Sequence, residues 1–350
     1  MLYLQKPVIL SPANRNTQPL CVILKEMRKK IFLLLTLITF ISANSQKLNG
    51  TWILEKTVYE NGNSLEINHL LYSTFTKYDF LTNSIKINDQ KFNARYTNNS
   101  IKLDFRELLF SFENNYLLIQ EKGDNKIQIL SKKEDFLNKN IEFKSNIEIR
   151  NQDTLYISNE IYKPQFNNEL TFEDFLRKNI SKYTSESTKN NLFKSEFVLT
   201  KEGKIKDIKI LSGISKSFDN EFIVALNKAE IYFKNESGKD FLIKHNFNFF
   251  QMYKGLTEKI EKDFYTIHQK GSLHFENNEF DKAITEYEKL NIMDLNSIKE
   301  RLGFLYSEAF VNLGISYLAV NKNDEACNSF LKVGDLRNFK VRNYIIDFCK

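Results

Sequence analysis

The apolar pattern of this chain changes period twice, and no single architecture accommodates that. From about residue 47 to 135, short runs alternate apolar and polar: Trp52 and Leu54, Ile85 and Ile87, Ile101, Leu103 and Phe105, Phe110 and Phe112, Ile127 and Ile129. Turn residues separate them at Glu60-Asn61-Gly62-Asn63, Asn88-Asp89, Asn114-Asn115 and Gly123-Asp124-Asn125. Period two with punctuation every 8–12 residues indicates an antiparallel meander closing into a small barrel or sandwich. From about 256 to 350 the spacing is helical, and between 169 and 252 the two patterns mix. A chain of 350 residues has room for two or three domains. The expected fold is therefore multidomain. It comprises an N-terminal all-β barrel or meander (47–135), an extended connector (140–168) with a hairpin around Asn151-Gln152-Asp153, a central α+β unit (169–252) and a C-terminal α-helical repeat pair with a capping helix (256–350).

The start of the chain points to export. Met27-Arg28-Lys29-Lys30 is a basic leader, Ile31 to Ile41 an apolar run, and Ser42-Ala43-Asn44-Ser45 supplies small residues for cleavage before Gln46. That order is a secretory signal peptide over 27–45, with 1–26 read as a mis-assigned start. The run is far short of the roughly 20 residues that span a bilayer, so no membrane span is expected in the mature chain. Residues 1–45 hold six basic residues and one acidic, so their removal takes 50 against 44 to 44 against 43. The mature chain is close to neutral, and without a basic stripe interleaved with aromatics it lacks the footprint of a nucleic-acid binder.

Three stretches resemble known modules. Leu48-Asn49-Gly50-Thr51-Trp52 is similar to the Gly-x-Trp opening of lipocalin-like domains, which implies a barrel with the Trp plugging one end. In the centre, Thr171-Phe172-Glu173-Asp174 opens a short amphipathic helix, Phe193 to Leu199 alternates, Lys201-Glu202-Gly203-Lys204 turns, and Ile208 and Ile210 continue a second strand. Asp219 is read as the cap of a helix carrying Phe222, Ile223 and Leu226, and Phe241, Ile243, His245, Phe247 and Phe249 mark a last strand. Phe175-Leu176-x-x-Asn179-Ile180, Phe197 through Leu211 and Asp219 through Leu226 together resemble the C-terminal domain of TonB-family proteins. The Tyr-Pro after the first helix is missing, and Tyr232-Phe233-Lys234 replaces the usual Trp-x-Pro. The resemblance implies a sheet edge that a partner's extended segment joins. With neither an inner-membrane anchor nor a Pro-rich spacer, the expectation is a docking or scaffold module, not an energy transducer. In the last stretch, Gly271, Ala283 and Tyr287, then Phe310, Leu313, Gly314, Tyr317, Ala326 and Phe330, resemble two tetratricopeptide repeats. The glycines stand 43 apart instead of 34, which places extra residues around Asn291 to Glu300.

Once Cys21 leaves with the leader, Cys327 and Cys349 remain. An even count in an oxidising compartment reads as a disulfide, two buried free thiols being the other reading. Such a bridge resembles an end-cap of exported repeat proteins and would contribute roughly 3 kcal/mol. His268 and His274 fall on different sides of a helix, and no His-Glu-x-x-His, Cys-x-x-Cys, Gly-x-Ser-x-Gly or P-loop is present. No catalytic, cofactor or metal site is therefore expected. The inner helices of the repeats present Tyr265, His268, Ser272, Phe275, Glu308, Val311, Ile315 and Leu318 toward a candidate peptide groove. Alternatively these faces only bury the long helix between the repeats. The reading that follows is an exported, periplasmic or secreted, non-catalytic interaction or scaffold module. It would bind an envelope protein or peptide through the TonB-like sheet edge or the repeats. The second reading is a carrier of a small apolar ligand in the barrel.

Overall fold

Three Asn-led pairs turn the chain sharply, and much of the topology follows from them. Asn88-Asp89, Asn114-Asn115 and Asn151-Gln152 all have φ between 46° and 73°. Two consecutive positive φ values make the turn whose twist matches a hairpin's, and Asn and Asp tolerate that region best among residues with a Cβ. The computed structural model describes residues 48–186, 192–249 and 255–349. Gly50–Lys350 form one compact unit; residues 27–45, read as a signal peptide, lie outside the described residues.

Nine strands form an antiparallel sheet: β1 (Gly50–Tyr59), β2 (Lys77–Phe80), β3 (Ser84–Ile87), β4 (Gln90–Asn93), β5 (Arg95–Tyr96), β6 (Ser100–Lys102), β7 (Glu107–Glu113), β8 (Tyr116–Glu121) and β9 (Lys126–Lys132). Their order is β4-β3-β2-β1-β9-β8-β7-β6-β5. The edge strands β4 and β5 are consecutive in the chain, joined through Ala94, so the sheet is a nearly closed barrel. Trp52, Leu54, Tyr78, Phe80, Phe110, Leu117, Ile119 and Leu130 occupy its inward face and are buried. Trp52 packs on Phe112 at 5.9 Å between centroids. The expected strand through Phe105 stops at Lys102. Phe105 is 61% exposed in the following turn, where its ring meets Phe92 of β4 at 5.3 Å across the seam.

Helix α1 (Lys133–Lys139) and the 3-10 turn Ile141–Phe143 cover the barrel's outside, burying Phe136, Phe143 and Ile161 against Ile53. The connector then forms a hairpin, β10 (Ile147–Arg150) and β11 (Asp153–Ile157), and a short strand, β12 (Gln165–Phe166). The α+β part follows as α2 (Phe172–Asn179), α3 (Tyr183–Glu186), β13 (Leu192–Leu199), β14 (Ile205–Ser212), α4 (Lys216–Ala229), β15 (Phe233–Lys234) and β16 (Asp240–Asn248). Thr171 caps α2 as expected, accepting from the Asp174 amide at 3.1 Å. The cap of α4 is Ser215, one turn ahead of Asp219. Asp219 instead accepts from the Ile214 amide at 3.1 Å.

The second sheet runs β10-β11-β16-β13-β14, with β11 parallel to β16. Phe193, Phe197 and Phe247 face α2 and α4, where Leu176, Phe218, Phe222 and Leu226 complete a core. The hairpin's Leu155 is buried with Val198 and Leu242 of the opposite face, and Arg150 forks onto Glu196 at 2.6 and 3.0 Å. The connector's hairpin is therefore part of the sheet.

The last part is helical: α5 (Lys259–Glu276), α6 (Phe280–Tyr287), α7 (Asn296–Arg301), α8 (Gly303–Ala319), α9 (Asn323–Val333) and α10 (Phe339–Phe348). A Cβ on Gly271 would stand 2.6 Å from the Tyr287 ring, and one on Gly314 2.3 Å from that of Phe330. Each glycine thus lets α5 approach α6, and α8 approach α9, through an aromatic ring. The extra residues between the hairpins form the 3-10 turn Glu288–Ile292 and α7. The sulfurs of Cys327 and Cys349 lie 2.06 Å apart, at disulfide distance, and tie α9 to the end of α10. Helix α10 also meets the segment after β1. Tyr72 donates to Asp347 at 2.6 Å, Tyr344 to the Ile67 carbonyl at 2.7 Å, and the two rings stack at 4.8 Å. No helix among the described residues is long and apolar enough to cross a membrane.

Candidate docking site

Strand β16 has nine residues and its outer neighbour β11 has five. They pair only from Leu155–Asp240 to Ile157–Leu242. The Ser158 amide closes the ladder on the Leu242 carbonyl at 3.0 Å, after which an Asn159-centred turn carries the chain away. Backbone groups alternate along a strand. Since Leu242 points outward, so do Lys244 and Asn246, while Phe241, Ile243, His245 and Phe247 bond inward to β13. The amide and carbonyl of Lys244 and of Asn246 have no partner among the described residues. Half of β16 is thus an open edge of two donors and two acceptors. The edge at β14 is guarded differently: Asp207 sits at φ 53° in an irregular stretch of the ladder, and Lys206 and Lys209 flank it.

Beside the open edge lies a cavity of about 470 Å³. Pro164, Phe166, Phe172, Phe233 and Ile243 supply apolar walls, and Asp89, Lys163, Glu173 and His245 supply polar groups. The rings are interlocked: Phe166 meets Phe172 edge to face at 5.4 Å, Phe172 meets His245 edge to face at 5.5 Å, and Phe172 lies tilted on Phe233 at 5.2 Å. At the rim, Asp89 accepts from Lys163 at 2.8 Å and from Lys77 at 2.5 Å. Burial alone would raise the Asp89 carboxyl, but the two ammonium groups outweigh it and hold it down at about 2.

Within this cavity the His245 imidazole is short of hydrogen-bond partners. Phe172, Phe222 and Phe247 surround its ring. Its Nε2 is buried without a hydrogen-bond partner, and Nδ1 has none among the described residues. Burial, with Arg177 adding like charge, lowers the imidazole to about 4, so it is neutral near pH 7.

The eight candidate groove residues of the helical part differ in exposure. His268, Ile315 and Leu318 are buried; Tyr265, Ser272, Phe275, Glu308 and Val311 are half-buried. Tyr265, Phe275, Val311, Ile315 and Leu318 pack into one apolar core. The Ser272 hydroxyl shares a hydrogen bond with Tyr287 at 2.9 Å, and His268 Nε2 stands 3.4 Å from Glu308. His274 contacts Glu279 at 2.5 Å. A larger cleft of about 620 Å³ runs between the barrel's outside and α10, lined in part by Tyr72, Lys139, Arg342 and Asp347. Those four groups engage their neighbours: Tyr72 with Asp347, Lys139 with Tyr116, and Arg342 with Asn140.

Lys244, Asn246 and the aromatic walls do not stand out in the sequence. The signal that could have found them is a length mismatch. The Asn151-Gln152 turn and the break at Asn159 to Pro164 allow only a short strand against the long run from Phe241 to Phe249. No protein-family model, curated protein or solved structure matches the chain.

Proposed function

We propose that the protein is an exported, non-catalytic interaction module of the cell envelope that binds an extended segment of a partner protein along the open half of β16. The observation that carries this is the pair of unsatisfied residues, Lys244 and Asn246, on an edge that β11 leaves after pairing over three rungs, from Asp240 to Leu242. A docked strand would supply the missing main-chain hydrogen bonds, and its alternate side chains would enter the cavity. The cysteine pair at disulfide distance and the leader expected at 27–45 support a place outside the cytoplasm. The likeness of 169–252 to TonB-family C-terminal domains supports the mode of binding. The carrier reading has less support, because the barrel's inward side chains pack on one another.

Proline has no amide hydrogen, so N246P removes one docking donor at a position whose side chain is exposed. Peptides selected from a random library for binding the purified protein should bind N246P at least tenfold more weakly, with its thermal midpoint checked against wild type. Undiminished binding to N246P, or a loss seen only with changes on β10, the sheet's outermost strand on this side, where Ile147 and Ile149 are exposed, would refute the assignment.

A further inference from the structure

Resting on the docking reading above, we propose that the bound segment presents a tyrosine to the cavity. Its ring would lie among Phe166, Phe172 and Phe233, and its hydroxyl would donate to Nδ1 of His245. The row of side chains sets the geometry. Tyr156 of β11 is aligned with Phe241 and lies on the face that α2 and α4 cover. A strand continuing that line places its residues opposite Ile243 and His245 on the same face, over the cavity. The walls there are edge-on and face-on phenyl rings, which favour another aromatic ring over an aliphatic chain.

The hydrogen-bond deficit selects among aromatic rings. The buried Nε2, enclosed by three phenyl rings, is better placed as an N–H toward a π face than as a lone pair, which leaves Nδ1 the acceptor. Nδ1 retains contact with solvent, since it is not among the fully buried atoms lacking a partner. A ligand covering it without a donor would strand it, whereas a phenol hydroxyl satisfies it. Sites built around such a group discriminate strongly against the analogue that lacks it. Tyr156 itself shows that a tyrosine suits this row, its ring lying 6.5 Å from those of Phe241 and Tyr162.

The test uses two synthetic probes, each a nine-residue alternation of threonine and valine with lysines at both ends. One has tyrosine at its centre and its twin has phenylalanine. By titration calorimetry the tyrosine probe should bind the wild-type protein about tenfold more tightly than its twin. That advantage should vanish on H245F and persist in part on H245Q, which keeps an acceptor; N246P should weaken both probes. Equal binding of the twins to wild type, with N246P still weakening both, would overturn the tyrosine assignment and leave the docking edge standing. If neither probe binds, or N246P affects neither, the docking reading falls and this inference with it.

Discussion

A neutral imidazole enclosed by three phenyl rings makes His245 a residue whose protonation opposes folding. Its folded pKa, about 4, lies below the ordinary value of 6.5. Between those values the unfolded chain binds a proton that the folded one refuses, so stability falls as pH drops through that window. By pH 5 the loss should reach about 2 kcal/mol. Urea unfolding of wild type and H245Q at pH 7.5 and pH 5 measures it. The wild type should lose about that much more than the variant, and parallel losses would contradict the assignment. Gly271 and Gly314 illustrate the opposite case, residues readable in advance. Their spacing to Tyr287 and Phe330 follows from two helices touching where no Cβ fits. His245 was visible only as a member of an alternating row, because nothing in that row tells which nitrogen lacks a partner.

Among the elements, the Asn151-Gln152 hairpin was legible and its destination was not. Two residues able to take positive φ announce the turn, but pairing with β16 spans more than eighty residues of chain and depends on Leu155 meeting Val198 and Leu242. The same limit applied at α4, where Ser215 and Asp219 are both competent caps and only the path of the preceding Gly213-Ile214 selects Ser215. Helix α10 is held from two sides, by Cys349 to α9 and by Tyr344 and Asp347 to the segment after β1. Joining cysteines 22 positions apart restricts the unfolded chain by about 3 kcal/mol in the loop-entropy description. Reduction should therefore lower the thermal midpoint, and the C327S/C349S double variant should show the reduced midpoint with or without reductant. A wild-type midpoint indifferent to reductant would show that the bridge does not form in solution.

For the molecule as a whole, the succession of periods along the chain was enough to foresee a β barrel followed by mixed and then helical structure. It could not show how thoroughly the parts share surfaces. Arg342 of α10 lies 5.3 Å from the Phe136 ring and 5.7 Å from that of Phe143, both packed on the barrel. The connector supplies two strands to the second sheet, and its β12 pairs with β15. Such contacts join distant positions with no local signature, and the open half of β16 results from them, since it exists only where the connector leaves the sheet. On the proposed reading, this half-edge receives a partner's strand. Residue-resolved amide hydrogen exchange, with and without a selected peptide, tests it most directly. Slowed exchange at the Lys244 and Asn246 amides on binding is the predicted result, whereas protection confined to the helices of 259–348, with those two amides unchanged, would contradict it.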